Sequence, residues 1–363
     1  MTDRIRVLVV DDSALMRKMV GDLLSEDPDI LVLGHARDGR EALEKMAVLN
    51  PDVVTLDIEM PVMDGVQTLT EIMATKPIPV VMLSSLTQKG AEITMKCLQL
   101  GAVDFIQKPS GSISLDLPKV GAELREKVKL AYKSRESLLR PRLTPRAAPS
   151  VHAEPPMVTS RHGSSKHIDL VLIGSSTGGP RALHTLIPCL PGNLGVPVVV
   201  VQHLPPVFTQ MMALKLNEES DLTVREAVAG DKLQVGTVLV APGGKHLRFD
   251  RSGVAVLSDE PPVHGVRPAI DVTMSSLIPL YGSHLMAVLL TGMGKDGALG
   301  LKTLRDLGGE TIAEDESTCV VYGMPKAAVE MGGACQVLPL PEIADAVTQA
   351  VWSKRHGANV IAS

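Results

Sequence analysis

The chain has 363 residues, of which 45% are hydrophobic, and this length and composition are typical of two globular domains. A net charge of -5 and an aromatic content of 2% argue against a nucleic-acid-binding protein, because such proteins need basic surfaces or aromatic platforms for bases. The sequence shows no signal peptide and no apolar run long enough to span a bilayer. We therefore expect a cytoplasmic protein without direct membrane insertion.

The first 125 residues alternate short apolar runs with amphipathic segments. We predict five strands, at residues 6–10, 31–34, 53–57, 80–84 and 104–107. We predict five helices, at residues 14–25, 40–49, 66–74, 91–100 and 120–137. Five such units in succession indicate a flavodoxin-like domain with a five-stranded parallel sheet and helices on both faces.

Carboxylates collect where the predicted strands end. Asp11 and Asp12 close the first strand, and Asp57, followed by Glu59, closes the third. Ligands of doubly wound sheets gather at the carboxyl ends of the strands, so these groups should meet there. Carboxylates that repel one another are stable together around a hard cation, and Mg²⁺ fits because it binds a few carboxylates and keeps several waters.

Two more strands place polar side chains at the same edge, Ser84 after the fourth and Lys108 after the fifth. A hydroxyl, an ammonium and a metal around one carboxylate would neutralise a phosphoryl group transferred to it. Taken singly, Asp11 and Asp12 could cap a helix and Lys108 could be a surface charge. The joint pattern at four strand ends favours the phosphorylation site.

Residues 3 to 125 resemble a response-regulator receiver domain in the stretches "VLVVDDSALMR", "VVTLDIEMPVMDG", "VVMLSS" and "DFIQKPS". The resemblance implies that Asp57 accepts a phosphoryl group from a histidine kinase. It also implies Mg²⁺ bound by Asp11, Asp12, Asp57 and the backbone carbonyl of Glu59. Ser84, Phe105 and Lys108 would then form the switch that responds to the phosphoryl group.

Residues 141–167 contain five prolines and many small polar residues without apolar periodicity, which predicts a linker. We divide the chain into a receiver domain at 1–125, a helix end and Pro-rich linker at 126–167, and a second domain at 168–363. The sequence leaves open whether the two domains pack together or move apart.

After the linker the alternation resumes, with strands predicted at 168–173, 198–202, 238–241, 285–291 and 310–313. A Gly-rich stretch at 231–259 interrupts it and is more typical of hairpins. We predict a doubly wound, Rossmann-like α/β domain with an antiparallel hairpin region.

The segment "GSSTG", residues 174–178, matches the G-x-S-x-G pattern, in which the central serine lies on a sharp turn between a strand and a helix. It follows a strongly apolar strand and precedes a predicted helix with Pro180 in its first turn. These neighbours favour Ser176 as a nucleophile. Glycine-rich loops also bind phosphates, but the G-x-G-x-x-G and P-loop patterns are missing here.

A nucleophilic serine needs a base. His203 is the best placed histidine, because it ends the apolar strand "VVVVQH", and His246 is the runner-up. Asp296, in "LLTGMGKDG", would orient the imidazole, and the amide of Met293 could receive an oxyanion. Each residue also has an ordinary alternative: Ser176 as a helix cap, His203 as a structural histidine, and Asp296 as the cap of a helix that begins near residue 297.

Residues 168 to about 352 resemble the catalytic domain of the bacterial chemotaxis methylesterases. The stretches that carry this resemblance are "IGSSTGGP", "VVVVQHLPPVFT", "VLVAPGGKHL", "RPAIDVTMSSL", "LLTGMGKDGA" and "EDESTCVVYGMPKAA". The family often has Ala where Ser175 stands, which makes Ser175 a rival nucleophile to test. The resemblance implies that Thr177 supports the network beside Ser176.

The resemblance implies a phosphorylation-activated serine hydrolase. It would hydrolyse γ-glutamyl methyl esters on methyl-accepting chemoreceptors, release methanol, and in some members deamidate receptor glutamines, with no cofactor in the catalytic domain. The alternative is a non-catalytic binding module that is switched by phosphorylation of the receiver.

Overall fold

The computed structural model describes residues 4–85, 87–108, 117–135 and 167–356, and residues 354–356 are described by their backbone alone. Most of the predicted linker therefore lies outside the described residues. Within the described ranges, no helix is both long and apolar enough to span a membrane.

The first domain is a five-stranded parallel sheet, as predicted, and its strands lie in the order β2-β1-β3-β4-β5. Its strands are β1 (Ile5–Val10), β2 (Ile30–Ala36), β3 (Val53–Asp57), β4 (Val80–Ser84) and β5 (Asp104–Gln107). Its helices are α1 (Ala14–Ser25), α2 (Gly39–Leu49), α3 (Gly65–Thr75), α4 (Gln88–Leu100) and α5 (Leu117–Lys133).

Short polar side chains fix where the receiver helices begin. The Ser13, Asp38, Asp64 and Thr87 side chains each accept a hydrogen bond from the third backbone amide of the following helix. Because each cap lies shortly after the carboxyl end of a strand, the helices start at the edge where the carboxylates were predicted to gather.

The second domain contains a seven-stranded, all-parallel sheet in the order β14-β13-β12-β6-β7-β9-β8 and a separate antiparallel hairpin, β10-β11. Its strands are β6 (Leu170–Ser175), β7 (Val198–Gln202), β8 (Thr223–Glu226), β9 (Thr237–Val240), β10 (His246–Phe249), β11 (Ala255–Ser258), β12 (Leu285–Leu289), β13 (Glu310–Glu314) and β14 (Gln336–Leu338). Its helices are α6 (Gly179–Leu186), α7 (Phe208–Glu219), α8 (Ile270–Tyr281), α9 (Ala298–Asp306), α10 (Met324–Glu330) and α11 (Leu340–His356).

The two domains pack against each other, through α4 of the receiver and α6 and α7 of the second domain. The rings of Phe105 and Phe208 stack across this interface with their centroids 4.4 Å apart, and one hydrophobic core includes both. Nearby, the Gln99 side chain contacts the His184 imidazole at 2.9 Å. The question that the sequence left open is therefore answered in favour of a docked arrangement.

Candidate active site

Ser176 lies on a tight turn between β6 and α6. Its amide donates to the carbonyl of Thr291 (3.0 Å), and its carbonyl accepts from the side-chain amide of Gln202 (2.9 Å). Gly178 has a φ of +80°, and a Cβ there would come within 2.5 Å of the Val320 side chain. The turn therefore requires glycine, and it leaves Ser176 partly exposed at the carboxyl edge of the sheet.

Ser175, the rival nucleophile, has a different environment. Its side chain is fully buried, and its hydroxyl donates to the side-chain oxygen of Gln202 at 2.6 Å. The Gln202 side chain thus makes two hydrogen bonds to the turn, one with the Ser175 hydroxyl and one with the Ser176 carbonyl. This contact makes Ser175 a structural residue of the turn.

His203 and Asp296 form a hydrogen-bonded pair. The Nε2 atom of His203 lies 2.8 Å from Asp296 Oδ2, and the two side chains are 8% and 2% exposed. Because Nε2–H donates to the carboxylate, the lone pair is left on Nδ1, which is the atom that can accept a proton. The pair therefore has the geometry of a general base with its orienting carboxylate.

Asp296 also caps a helix. Its Oδ2 accepts from the amide of Ile270 (2.6 Å) and its Oδ1 from that of Asp271 (3.0 Å), at the start of α8. Burial alone would raise the pKa of Asp296, but the hydrogen bonds from His203 and these amides lower it below its ordinary value. The alternative of a cap on the helix near residue 297 is wrong, since Asp296 caps α8 instead.

The sheet brings Ser176 next to His203. Strands β6 and β7 are paired so that Ser175 faces Gln202, and the His203 amide donates to the Ser175 carbonyl at 3.2 Å. Among the described residues, no hydrogen bond joins the Ser176 hydroxyl to the imidazole. Hydrogen bonds between a nucleophile and its base are often long without substrate and tighten when substrate binds.

The turn after β12 covers the other side of the serine. A Cβ on Gly292 would lie 2.8 Å from the Ser176 Cβ, so only glycine allows this close approach. Met293 follows in the same turn and is half-buried. The predicted oxyanion donor thus belongs to the segment that contacts Ser176.

Among the described residues, no hydrogen bond joins the Thr177 hydroxyl to Ser176, His203 or Asp296. Its hydroxyl donates to Asp104 Oδ2 of the receiver at 2.7 Å, and its carbonyl accepts from the Thr291 hydroxyl at 3.0 Å. The predicted supporting residue is therefore held through its hydroxyl by the receiver and through its carbonyl by its own domain.

His246, the runner-up base, is fully buried. Its Nε2 contacts the Pro261 carbonyl at 3.2 Å, and its Nδ1 accepts from the Ala269 amide at 3.2 Å. Both ring nitrogens are occupied by backbone groups, which indicates a structural role.

The predicted receiver residues also meet at one edge. Lys108 Nζ forms ion pairs with Asp57 Oδ2 (2.7 Å) and Asp11 Oδ2 (2.8 Å). Burial raises the pKa of Asp57 to about 6, although the hydrogen bond and positive charge of Lys108 act to lower it. The Ser84 hydroxyl lies 2.6 Å from that of Thr94. Lys108 thus joins Asp11 and Asp57 in one group, as expected for an acceptor of a phosphoryl group, whereas the contacts of the Ser84 hydroxyl are with Thr94 and the Ser85 carbonyl.

Two family models match the chain: response regulator receiver domain over residues 7–116, and CheB methylesterase over residues 171–347. A protein-glutamate methylesterase/protein-glutamine glutaminase of Symbiobacterium thermophilum is 55% identical over 97% of this chain and 99% of its own length. The chain belongs to the protein-glutamate methylesterase/protein-glutamine glutaminase family. This confirms the resemblance noted in the sequence.

Two further relatives share somewhat lower identity with this chain. A protein of Syntrophomonas wolfei with the same description is 46% identical over 95% of this chain and 98% of its own. The solved catalytic domain of Thermotoga maritima CheB methylesterase is 45% identical and covers 50% of this chain and 98% of that domain, with a TM-score of 0.49.

The receiver of this methylesterase-family chain has a donor set that fits Mg²⁺. One carboxylate oxygen from each of Asp11, Asp12 and Asp57 lies within 4.8 Å of the other two. Only oxygen donors are present in this group, which suits a hard cation. The Glu59 amide lies 3.4 Å from Asp57 Oδ1, so the backbone that carries the fourth proposed ligand adjoins the group.

One buried carboxylate of the family's catalytic domain was missed in the sequence. The Glu314 carboxylate accepts hydrogen bonds from the Thr291 amide (2.7 Å) and the Thr318 hydroxyl (3.0 Å). The carbonyl of the same Thr291 accepts the hydrogen bond from the Ser176 amide. Burial raises its pKa to about 7. Glu314 ends β13 and is the first residue of the stretch "EDESTCVVYGMPKAA" that carries the family resemblance, but no role was predicted for it.

Proposed function

We propose that this protein is a phosphorylation-activated serine hydrolase that demethylates γ-glutamyl methyl esters on chemoreceptors. The observation that carries the proposal is the buried His203–Asp296 pair beside a serine on a strand-to-helix turn. The family membership supports the substrate, because the named relatives are protein-glutamate methylesterases.

In the proposed reaction, the Ser176 oxygen attacks the ester carbonyl and His203 Nδ1 takes the serine proton. The imidazolium, stabilised by Asp296, returns this proton to the departing methoxide, so that methanol leaves and a glutamyl ester on Ser176 remains. Water, activated by the same imidazole, hydrolyses that ester. We assign the Met293 amide to the oxyanion, where one such donor is typically worth about 10²–10³ in rate.

The same steps convert a receptor glutamine to glutamate when ammonia replaces methanol as the leaving group. The relative from Symbiobacterium thermophilum is named a protein-glutamine glutaminase as well as a methylesterase. We therefore include deamidation in the proposed activity of this chain.

The docked receiver supplies the proposed control. Thr177, next to the nucleophile, is bonded to Asp104, and Phe105 of the proposed switch stacks on Phe208. We propose that a histidine kinase supplies the phosphoryl group and that Asp57 accepts it. Mg²⁺, held by Asp11, Asp12, Asp57 and the Glu59 carbonyl, would neutralise the phosphoryl oxygens. Rearrangement of Ser84, Phe105 and Lys108 would then loosen the interface.

Methanol release from methylated receptor membranes tests the proposal directly. We expect the rate to rise about 5- to 150-fold when a small phosphodonor and Mg²⁺ are added, as is typical of coupling between two sites. Asp57→Asn is the matched control, since it keeps the size of the side chain but removes the acceptor, and its rate should not respond. No methanol release with or without the phosphodonor would refute the esterase activity. An equal rise in rate in the parent protein and in Asp57→Asn would refute Asp57 as the acceptor of the phosphoryl group.

The Thr177–Asp104 contact gives a second test. Asp104→Ala removes a hydrogen bond to a charged group, typically worth about 1.5–3 kcal/mol, so the docked form should lose stability and the unphosphorylated rate should rise about tenfold or more. Asp104→Asn keeps an acceptor for Thr177 and should change the rate far less. An unphosphorylated rate in Asp104→Ala equal to that of the parent protein would count against control by docking.

No specific observation favours the alternative of a non-catalytic binding module. Such a module would not explain the buried His203–Asp296 pair beside a serine. A covalent serine-directed probe separates the enzyme from the binding module, since only a nucleophilic serine reacts with it.

We propose that the protein lies in the cytoplasm, on the same side of the receptors as the proposed histidine kinase. The absence of a cofactor from the catalytic domain stays a prediction.

A further inference from the structure

A second cluster of titratable side chains lies at the opposite end of the catalytic sheet from Ser176. His167 and Asp169 precede β6, and His284 precedes β12, whereas Ser176 follows β6. A six-residue strand separates the two ends, which corresponds to roughly 20 Å. The cluster is therefore independent of the proposed active site.

The Asp169 carboxylate lies between the two imidazoles. His167 Nε2 is 3.1 Å from Asp169 Oδ1, and His284 Nδ1 is 3.5 Å from Asp169 Oδ2. The two rings meet edge to face with centroids 4.7 Å apart. Within the described ranges, the ion pairs of Asp169 are with these histidines and not with Lys or Arg, so no fixed positive charge occupies the centre of the cluster.

The backbone holds these side chains in place. The Asp169 amide donates to the His284 carbonyl at 2.9 Å, which extends the pairing of β6 with β12 by one step. His284 Nδ1 lies 2.9 Å from the His167 carbonyl. A proton on Nδ1 that donates to this carbonyl leaves the lone pair on Nε2, and metal-binding histidines typically make such a hydrogen bond through their second nitrogen.

We propose that His167, Asp169 and His284 form a binding site for a divalent transition metal, with Zn²⁺ the best match. One ligand atom from each residue lies within 4.8 Å of the other two. Two imidazoles and one carboxylate are a usual protein donor set for Zn²⁺, and a water completes the tetrahedron. Side-chain exposures of 55%, 43% and 38% leave the site accessible from solvent.

A metal here would tie the start of the catalytic domain to its sheet. His167 is the last residue of the segment predicted as the linker and the residue at which the described chain resumes, and the other two ligands precede two neighbouring central strands. The bound ion would stabilise the catalytic domain and fix the point from which the linker departs, without contact with Ser176.

Zn²⁺ titration of the full-length protein by calorimetry tests this site, with excess Mg²⁺ present to occupy the receiver carboxylates. We expect one Zn²⁺ per chain and a higher melting temperature in its presence. His167→Ala and His284→Ala should each weaken binding by more than about tenfold, since even outer partners of metal ligands typically contribute 10- to 100-fold. Co²⁺ in place of Zn²⁺ should give a visible absorption band that both variants lose.

His264→Ala is the matched control, because His264 belongs to another described histidine–carboxylate group, with Asp271 and Asp296. It should bind Zn²⁺ as the parent protein does. Circular dichroism of each metal-free variant verifies its fold, and Asp169→Asn provides an independent loss of a ligand. The proposal fails if the parent protein binds no Zn²⁺, or if binding survives in His167→Ala and His284→Ala but is lost in His264→Ala.

Discussion

Ser176→Ala should lower methanol release by roughly 10⁶-fold, the loss typical when the nucleophile of a serine triad is removed. The neighbouring hydroxyls cannot substitute for it. That of Ser175 is buried against Gln202, and that of Thr177 is bonded to Asp104. The protein should stay folded, because the turn is held by the amide and carbonyl of Ser176 and not by its hydroxyl.

Ser175→Ala is the control for this experiment. It removes one buried hydrogen bond, typically worth about 1 kcal/mol, so the turn should remain and most of the activity with it. The rate of methanol release measures the activity of each variant, and the melting temperature shows whether each variant stays folded. Full turnover in Ser176→Ala, or loss of activity in Ser175→Ala alone, would show that the nucleophile is a residue other than Ser176.

Asp296→Asn should lower kcat by about 10⁴-fold, as loss of the orienting carboxylate does in a serine triad. The amide oxygen of Asn can replace only one carboxylate oxygen, and the α8 amides of Ile270 and Asp271 compete for it. The side-chain NH₂ would then face His203 Nε2 and donate to it. This reverses the tautomer, so that Nδ1 carries a proton and can no longer accept one from Ser176.

Asp296→Asn should also reduce the free energy of unfolding, because it weakens a helix cap, a change that typically costs about 1 kcal/mol. Asp271→Asn is the matched control: it neutralises a neighbouring carboxylate that bonds to the Gly300 amide and not to His203. Its kcat should stay within about tenfold of the parent value, a loss of at most about 1.4 kcal/mol. Equal losses of kcat in both variants would indicate that local charge, and not orientation of the imidazole, sets the rate.

The buried strands were predictable, whereas the exposed edges were not. Strands β3, β4 and β7 match their predicted bounds, because each is a short apolar run that ends at a polar residue. The edge strands β8 and β14 were missed, since most of their residues are partly or fully exposed and give no apolar run. The Gly-rich stretch at 231–259 does contain the domain's antiparallel hairpin, β10-β11, but β9 within it joins the parallel sheet.

The site was predictable to the extent that it follows strand ends. His203 and Asp296 were chosen because each follows an apolar strand, and the structure places them 2.8 Å apart. The contacts of Thr177 with Asp104 and of Asp296 with α8 were not predictable. They join segments 73 and 26 residues apart through side chains whose partners depend on domain and helix packing.

The stack of Phe105 on Phe208 has a thermal consequence for regulation. Separating the domains would hydrate apolar surface that the docked form keeps dry, and hydration of apolar surface raises the heat capacity. Hydrophobic association weakens on cooling. At a fixed level of receiver phosphorylation, a colder cell would therefore hold a larger share of the enzyme in its separated form.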